Sequence, residues 1–174
     1  MANMIEIDWT VVLPNRYVPK FHRFLIYESD SLTAIKKKQF LLTWIYEGTL
    51  EIAPHPQGYS CIRFSSECKW NMSSVLHTVN YPDEGITAMS IEYICKACKV
   101  SYLEATGTEY SMCFRETLRY DKDMDDHVSH SSFDINVWHC DTCGSYGCFE
   151  DYPYHIDDSV CPECGCKFEE DEDE

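Results

Sequence analysis

Ile5, Ile7, Trp9 and Val11 alternate with polar residues, the two-residue period of a strand with one buried face. The Pro14–Asn15 pair supplies a turn, and a second strand is expected over 17–27. Asp30 or Ser31 then caps a helix in which Leu32, Ile35, Leu42 and Ile45 recur at helical spacing, and Gly48 sits where its C-terminal end is expected. Residues 49–53 and 59–65 read as a hairpin around the PHPQG turn. A strand over 86–94 delivers the chain to the first cysteine pair. Residues 100–105 and 109–120 flank a Thr-Gly turn and predict another hairpin. The segment 121–132, DKDMDDHVSHSS, has no apolar period and reads as an exposed acidic linker. A further strand over 132–138 leads into the second pair.

The cysteines change this picture most. Of eleven in the chain, six form three C-x2-C units: Cys95/Cys98, Cys140/Cys143 and Cys161/Cys164. Two intervening residues let both thiolates reach one ion while backbone N–H groups turn toward the sulfurs. Gly144 and Gly165 follow the second and third pairs and suit the tight turn of such a knuckle. The N-terminus has no basic stretch, and Glu6 and Asp8 interrupt its apolar run, so it does not read as a secretory signal. An intracellular location is expected, where thiols serve as metal ligands rather than disulfides.

Residues 137–169, containing WHCDTCGSY and VCPECGCKFE, resemble a zinc ribbon, and the knuckles are similar to those of rubredoxins. The resemblance implies Cys140, Cys143, Cys161 and Cys164 as metal ligands. Zinc is the expected ion, one or two per chain, and iron is its main competitor. The rubredoxin likeness carries an alternative function, an iron protein that transfers electrons. Cys95 and Cys98 resemble a third knuckle and need two more ligands, with Cys113, His127, His130 and Cys148 as downstream candidates and Cys61 and Cys68 upstream. Another arrangement joins Cys95/Cys98 to Cys140/Cys143, leaving Cys161/Cys164 to Cys148 and Cys166. The expected fold is α+β and strand-dominated: an N-terminal antiparallel sheet with one main helix over 1–94, then a ribbon-bearing, cysteine-rich region over 95–169. A solvated acidic tail follows over 170–174.

Charge divides the chain unevenly. Residues 1–94 hold 8 Lys and Arg against 10 Asp and Glu, whereas residues 95–174 hold 6 against 20. Each tetrathiolate zinc site adds a further −2. That surface repels phosphate backbones, whose binding depends on Lys and Arg. Only the segment containing Arg16, Lys20, Arg23, Lys36, Lys37 and Lys38 favours nucleic acid.

Catalytic patterns are missing. There is no G-x-S-x-G, phosphate-binding glycine loop, dinucleotide fingerprint or H-E-x-x-H. Asp121, Asp123 and Asp125 begin like a calcium loop, but Asp126 and Ser132 stand where glycine and glutamate are needed. The expectation is a non-enzymatic, zinc-stabilised acidic protein that binds a basic protein of nucleic-acid machinery, in one form as a nucleic-acid mimic of viral type. A zinc-ribbon protein binding nucleic acid through residues 16–38 is the other alternative. No membrane association is expected.

Overall fold

The computed structural model describes residues 4–30, 35, 39–69, 71–110, 112–124, 127–151 and 159–168. At its centre lies β1 (Met4–Pro14), paired antiparallel with β6 (Tyr59–Lys69) on one side and β9 (Tyr102–Glu109) on the other. Beyond β9 come β10 (Phe114–Asp121) and the edge strand β11 (Val128–Asp134). Beyond β6 come β5 (Glu51–His55) and β4 (Trp44–Ile45), and β4 pairs in parallel with β2 (Ile26–Tyr27). A smaller sheet joins β3 (Gln39–Phe40), β8 (Ile86–Ala88) and β7 (Val79–Tyr81), and a third pairs β12 (Val137–His139) with β13 (Tyr146–Cys148). Strands dominate, as expected. Among the described residues no helix is long and apolar enough to cross a membrane.

One face of the large sheet builds the core. Ile5, Ile7, Trp9, Val11 and Leu13 of β1 join Ile62 and Phe64 of β6, Leu103 and Ala105 of β9, and Leu118 and Tyr120 of β10. Helices α1 (Val18–His22) and α2 (Ile91–Cys98) cover this face with Phe21, Ile91, Ile94, Cys95 and Cys98. Trp9 stacks on Phe64 with ring centroids 5.6 Å apart. Its indole N–H donates to Ser66 Oγ at 2.7 Å, the Ser66 and Thr43 hydroxyls lie 2.6 Å apart, and Thr43 donates to the Glu67 carbonyl at 2.9 Å. With one proton per hydroxyl, that chain satisfies every buried polar atom in it.

Several expected elements fall differently. The strand expected over 17–27 is a 3-10 turn, then α1, then only two residues of β2; Pro19 suits the first turn of a helix and removes a strand donor. The main helix expected after Asp30 does not run to Ile45, because β3 and β4 occupy its second half. Residues 31–34 and 36–38, which hold its first half, lie outside the described residues.

The strand expected over 86–94 stops at Ala88, and α2 begins at Ile91. Ser90 caps α2 by accepting from the Tyr93 N–H, Glu92 and Lys96 form an i,i+4 pair at 2.6 Å, and Lys99 ends the helix at φ 54°. The division expected at 94/95 thus falls inside a core helix, and strands from both sides of it form one sheet. Thr106-Gly107 is not a turn but lies inside β9, which ends at Glu109 before β10 begins at Phe114. The linker expected over 121–132 instead holds the start of β11, which begins at Val128. The acidic tail lies outside the described residues.

Candidate metal centre

Two short loops, built alike, face one another beyond the large sheet. In the first, the Gly144 N–H donates to the Cys140 carbonyl at 2.7 Å and the Cys140 N–H donates to the Ser145 carbonyl at 2.9 Å. In the second, the Gly165 N–H donates to the Cys161 carbonyl at 2.8 Å and the Cys161 N–H donates to the Cys166 carbonyl at 2.7 Å. Gly144 and Gly165 have φ of 72° and 74°, values that a side chain would strain. The first loop is closed by β12 and β13, the second by a bridge between Val160 and Lys167. Beneath them Trp138, Phe149 and Phe168 pack as a small separate core, with Cys140 and Cys161 buried against it.

This arrangement brings Cys140, Cys143, Cys161 and Cys164 together, all four sulfurs lying within 4.8 Å of one another. Cys140 Sγ is 3.7 Å from Cys164 Sγ, and Cys143 Sγ is 3.8 Å from Cys161 Sγ. A tetrahedron with metal–sulfur arms of ~2.3 Å has edges of ~3.8 Å, so these separations fit four thiolates around one ion. Their protonation is uneven. The Ser145 hydroxyl and backbone, hydrogen-bonded to Cys143, pull its thiol down to about 6. Cys164 receives a backbone hydrogen bond from Cys166 that lowers it, yet desolvation and the neighbouring sulfurs of Cys143, Cys161 and Cys140 raise it overall. Cys143 therefore gives up its proton readily, while Cys164 holds its own. A bound dication displaces the remaining protons. Four thiolates close the coordination sphere, so no position remains for water or substrate.

The lobe is fastened to the large sheet. Arg115 of β10 donates to Asp151 at 2.7 Å, Tyr110 meets Tyr146 edge-on at 5.4 Å, and the Ile135 N–H donates to the Cys113 carbonyl at 2.9 Å.

The other expected ligands stand elsewhere. Cys95 and Cys98 lie on the buried face of α2, and among the described residues no further ligand gathers on them. Burial raises the Cys95 thiol well above its ordinary value, and burial pushes Cys98 up to about 11. Both are thus held neutral among the apolar side chains of the large core. Cys68 is buried beside the Asn71 carbonyl, pushed up to about 12 chiefly by burial. Cys61 is on β6, and Cys113 turns the chain between β9 and β10 at φ 53°. His127 faces the Asp121 carbonyl at 3.4 Å, and His130 meets the buried Glu116 carboxylate at 3.0 Å. Cys148 is buried on β13, while Cys166 contributes its carbonyl to the second loop rather than its sulfur to the cluster. The arrangement uniting Cys95/Cys98 with Cys140/Cys143 is therefore not the one adopted.

Of the basic segment, Arg16 lies over the Tyr17 ring at 5.1 Å, and Lys20 and Arg23 line one cavity with Phe24 and Gln39. Lys36, Lys37 and Lys38 lie outside the described residues. Sequence reasoning did not single out Phe24 or Gln39, which carry no ligand-like spacing. No protein-family model matches this chain, and no curated protein and no solved structure matches it either.

Proposed function

We propose that Cys140, Cys143, Cys161 and Cys164 hold one structural zinc ion, and that the protein is a non-catalytic binding protein for a basic protein partner. The sulfur tetrahedron supports the first half: its donors are all soft thiolates and its sphere is closed, which suits zinc as a folding element. Charge supports the second. Residues 95–174 carry 20 carboxylates against 6 Lys and Arg, and Asp123, Asp134, Asp141, Asp151 and Glu163 in that half are exposed. A field of that sign speeds encounter with a basic surface and repels nucleic acid. The partner class this favours is a basic component of nucleic-acid machinery.

Two measurements test the reading. Metal analysis of the purified chain is expected to give about one zinc per chain. A red protein whose visible absorption bleaches on reduction would instead assign iron and electron transfer. Affinity capture with the metal-loaded chain, followed by mass spectrometry, is expected to return Lys- and Arg-rich proteins released by salt. Retention of nucleic acid by the purified chain, falling steeply with salt, would overturn the partner assignment.

A further inference from the structure

We infer that the cavity between α1 and β3 is a binding site for a small organic phosphate, held by Lys20 and Arg23 with its apolar part against Phe24. The cavity has a volume of about 320 Å³ and is lined by Lys20, Arg23, Phe24 and Gln39. That volume is at the lower end of the range for ligand pockets, ~300–1,000 Å³, and suits a single small molecule.

Its charge is the opposite of the chain's. The protein has a formal net charge of −16, yet among the described residues the ionisable groups lining this cavity are Lys20 and Arg23, with no carboxylate beside them. Among the described residues neither Lys20 nor Arg23 is ion-paired with a carboxylate. Both instead face a concavity.

The two cations are also positioned. Lys20 Nζ donates to the Ala97 carbonyl near the end of α2 at 2.9 Å, which anchors the ammonium and leaves its other N–H groups for a ligand. Arg23 follows α1 directly, and its backbone N–H donates to the Lys20 carbonyl at 3.3 Å, so the two residues sit about one turn apart along the chain. Their field reaches the adjacent helix: both lower the Cys98 thiol against the larger upward effect of burial.

The lining chemistry selects the ligand class. An ammonium and a forked guanidinium suit a compact oxyanion such as phosphate, which accepts several charge-assisted hydrogen bonds. The Gln39 amide adds a neutral donor or acceptor. Phe24 is only 7% exposed and gives the cavity an apolar wall. A wall of that kind favours a phosphate carrying an organic group over inorganic phosphate.

Isothermal titration of the full, metal-loaded chain with phenyl phosphate and with inorganic phosphate tests the inference. Phenyl phosphate is expected to bind with a dissociation constant of about 1 mM or below and to weaken as salt is raised. Arg23→Gln and Lys20→Gln are each expected to weaken it about tenfold, the loss of one charge-assisted hydrogen bond. Arg23 is exposed and its replacement leaves the core intact, so that variant remains informative if Lys20→Gln disturbs the Ala97 contact. Equal binding of both probes, lost in Arg23→Gln, would support the anion site and identify free phosphate as sufficient. No binding by the wild-type chain, or binding within twofold of wild type in Arg23→Gln, would overturn it.

Discussion

At position 107 an added Cβ would lie 2.7 Å from Ile5 Cδ1 and 2.9 Å from Met72 Sδ, closer than such atoms approach without displacement. Gly107 is thus where β9 lets the β1 side chain and the 3-10 turn at Met72–Val75 close over the sheet. Gly107→Ala is expected to cost about 1–3 kcal/mol by overpacking, a fall of several degrees in melting temperature. A variant as stable as wild type would mean that Ile5 and Met72 yield freely. The cysteines divide by environment at the same scale. Cys161→Ser removes one corner of the sulfur tetrahedron, whereas Cys61→Ser changes a partly exposed strand residue to a near-isostere. The first is expected to lower the melting temperature of metal-loaded protein far more than the second. In protein stripped of metal the gap between the two variants should shrink, because the lost term is ion binding. Equal shifts in loaded protein would contradict the ligand assignment.

Helix α2 shows what the sequence made legible at the scale of the element. Ile91, Ile94, Cys95 and Cys98 follow the helical repeat behind a serine cap, but a C-x2-C pair has the same i,i+3 spacing whether it grips an ion or lines a helix. Only the surroundings decide, and those come from the large sheet. By contrast, Cys140, Cys143, Cys161 and Cys164 were legible because glycine-terminated loops are local structures that chain-neighbouring residues specify. β11 was hidden for a different reason: residues 129–134 are exposed, so no buried face imposes a period. The helix expected to reach Ile45 failed because its apolar positions serve two sheets instead, Ile45 in the central core and Leu42 against the smaller one. Burial of thiols on α2 and β6 has a consequence for pH. Cys98 is held up at about 11 and Cys68 at about 12, against an ordinary 9.0. Above pH 9 the unfolded chain releases these protons while the folded chain keeps them, so the unfolded state binds fewer and stability falls as pH rises. Melting temperature is expected to drop between pH 8 and 10.5, and the slope should be shallower in Cys98→Ala. An identical slope in that variant would show that this thiol is not the buried, proton-retaining group.

Across the whole molecule, metal site and charge act together. Four thiolates around one dication would carry a formal −2, added to a half of the chain that holds 20 carboxylates. The Arg115–Asp151 pair and the Tyr110–Tyr146 contact hold that lobe against the sheet. Lys20 of α1 and Arg23 just after it lie apart from the sulfur cluster, lining a cavity with Phe24 and Gln39. The last six residues, EEDEDE, concentrate the acidic charge further. Their contribution to a basic partner is long-range and therefore depends on salt: the Debye length is ~30 Å at 0.01 M and ~8 Å at physiological ionic strength. Deleting residues 169–174 is expected to slow association several-fold at low salt and far less at physiological salt, with dissociation nearly unchanged. The melting temperature should stay within about 2 °C, because six adjacent carboxylates supply no apolar burial. Stopped-flow association and thermal melting of the truncated chain check both halves. An association rate unaffected at every salt concentration would remove the tail from the recognition surface. A large loss of stability would instead place it in the packed structure.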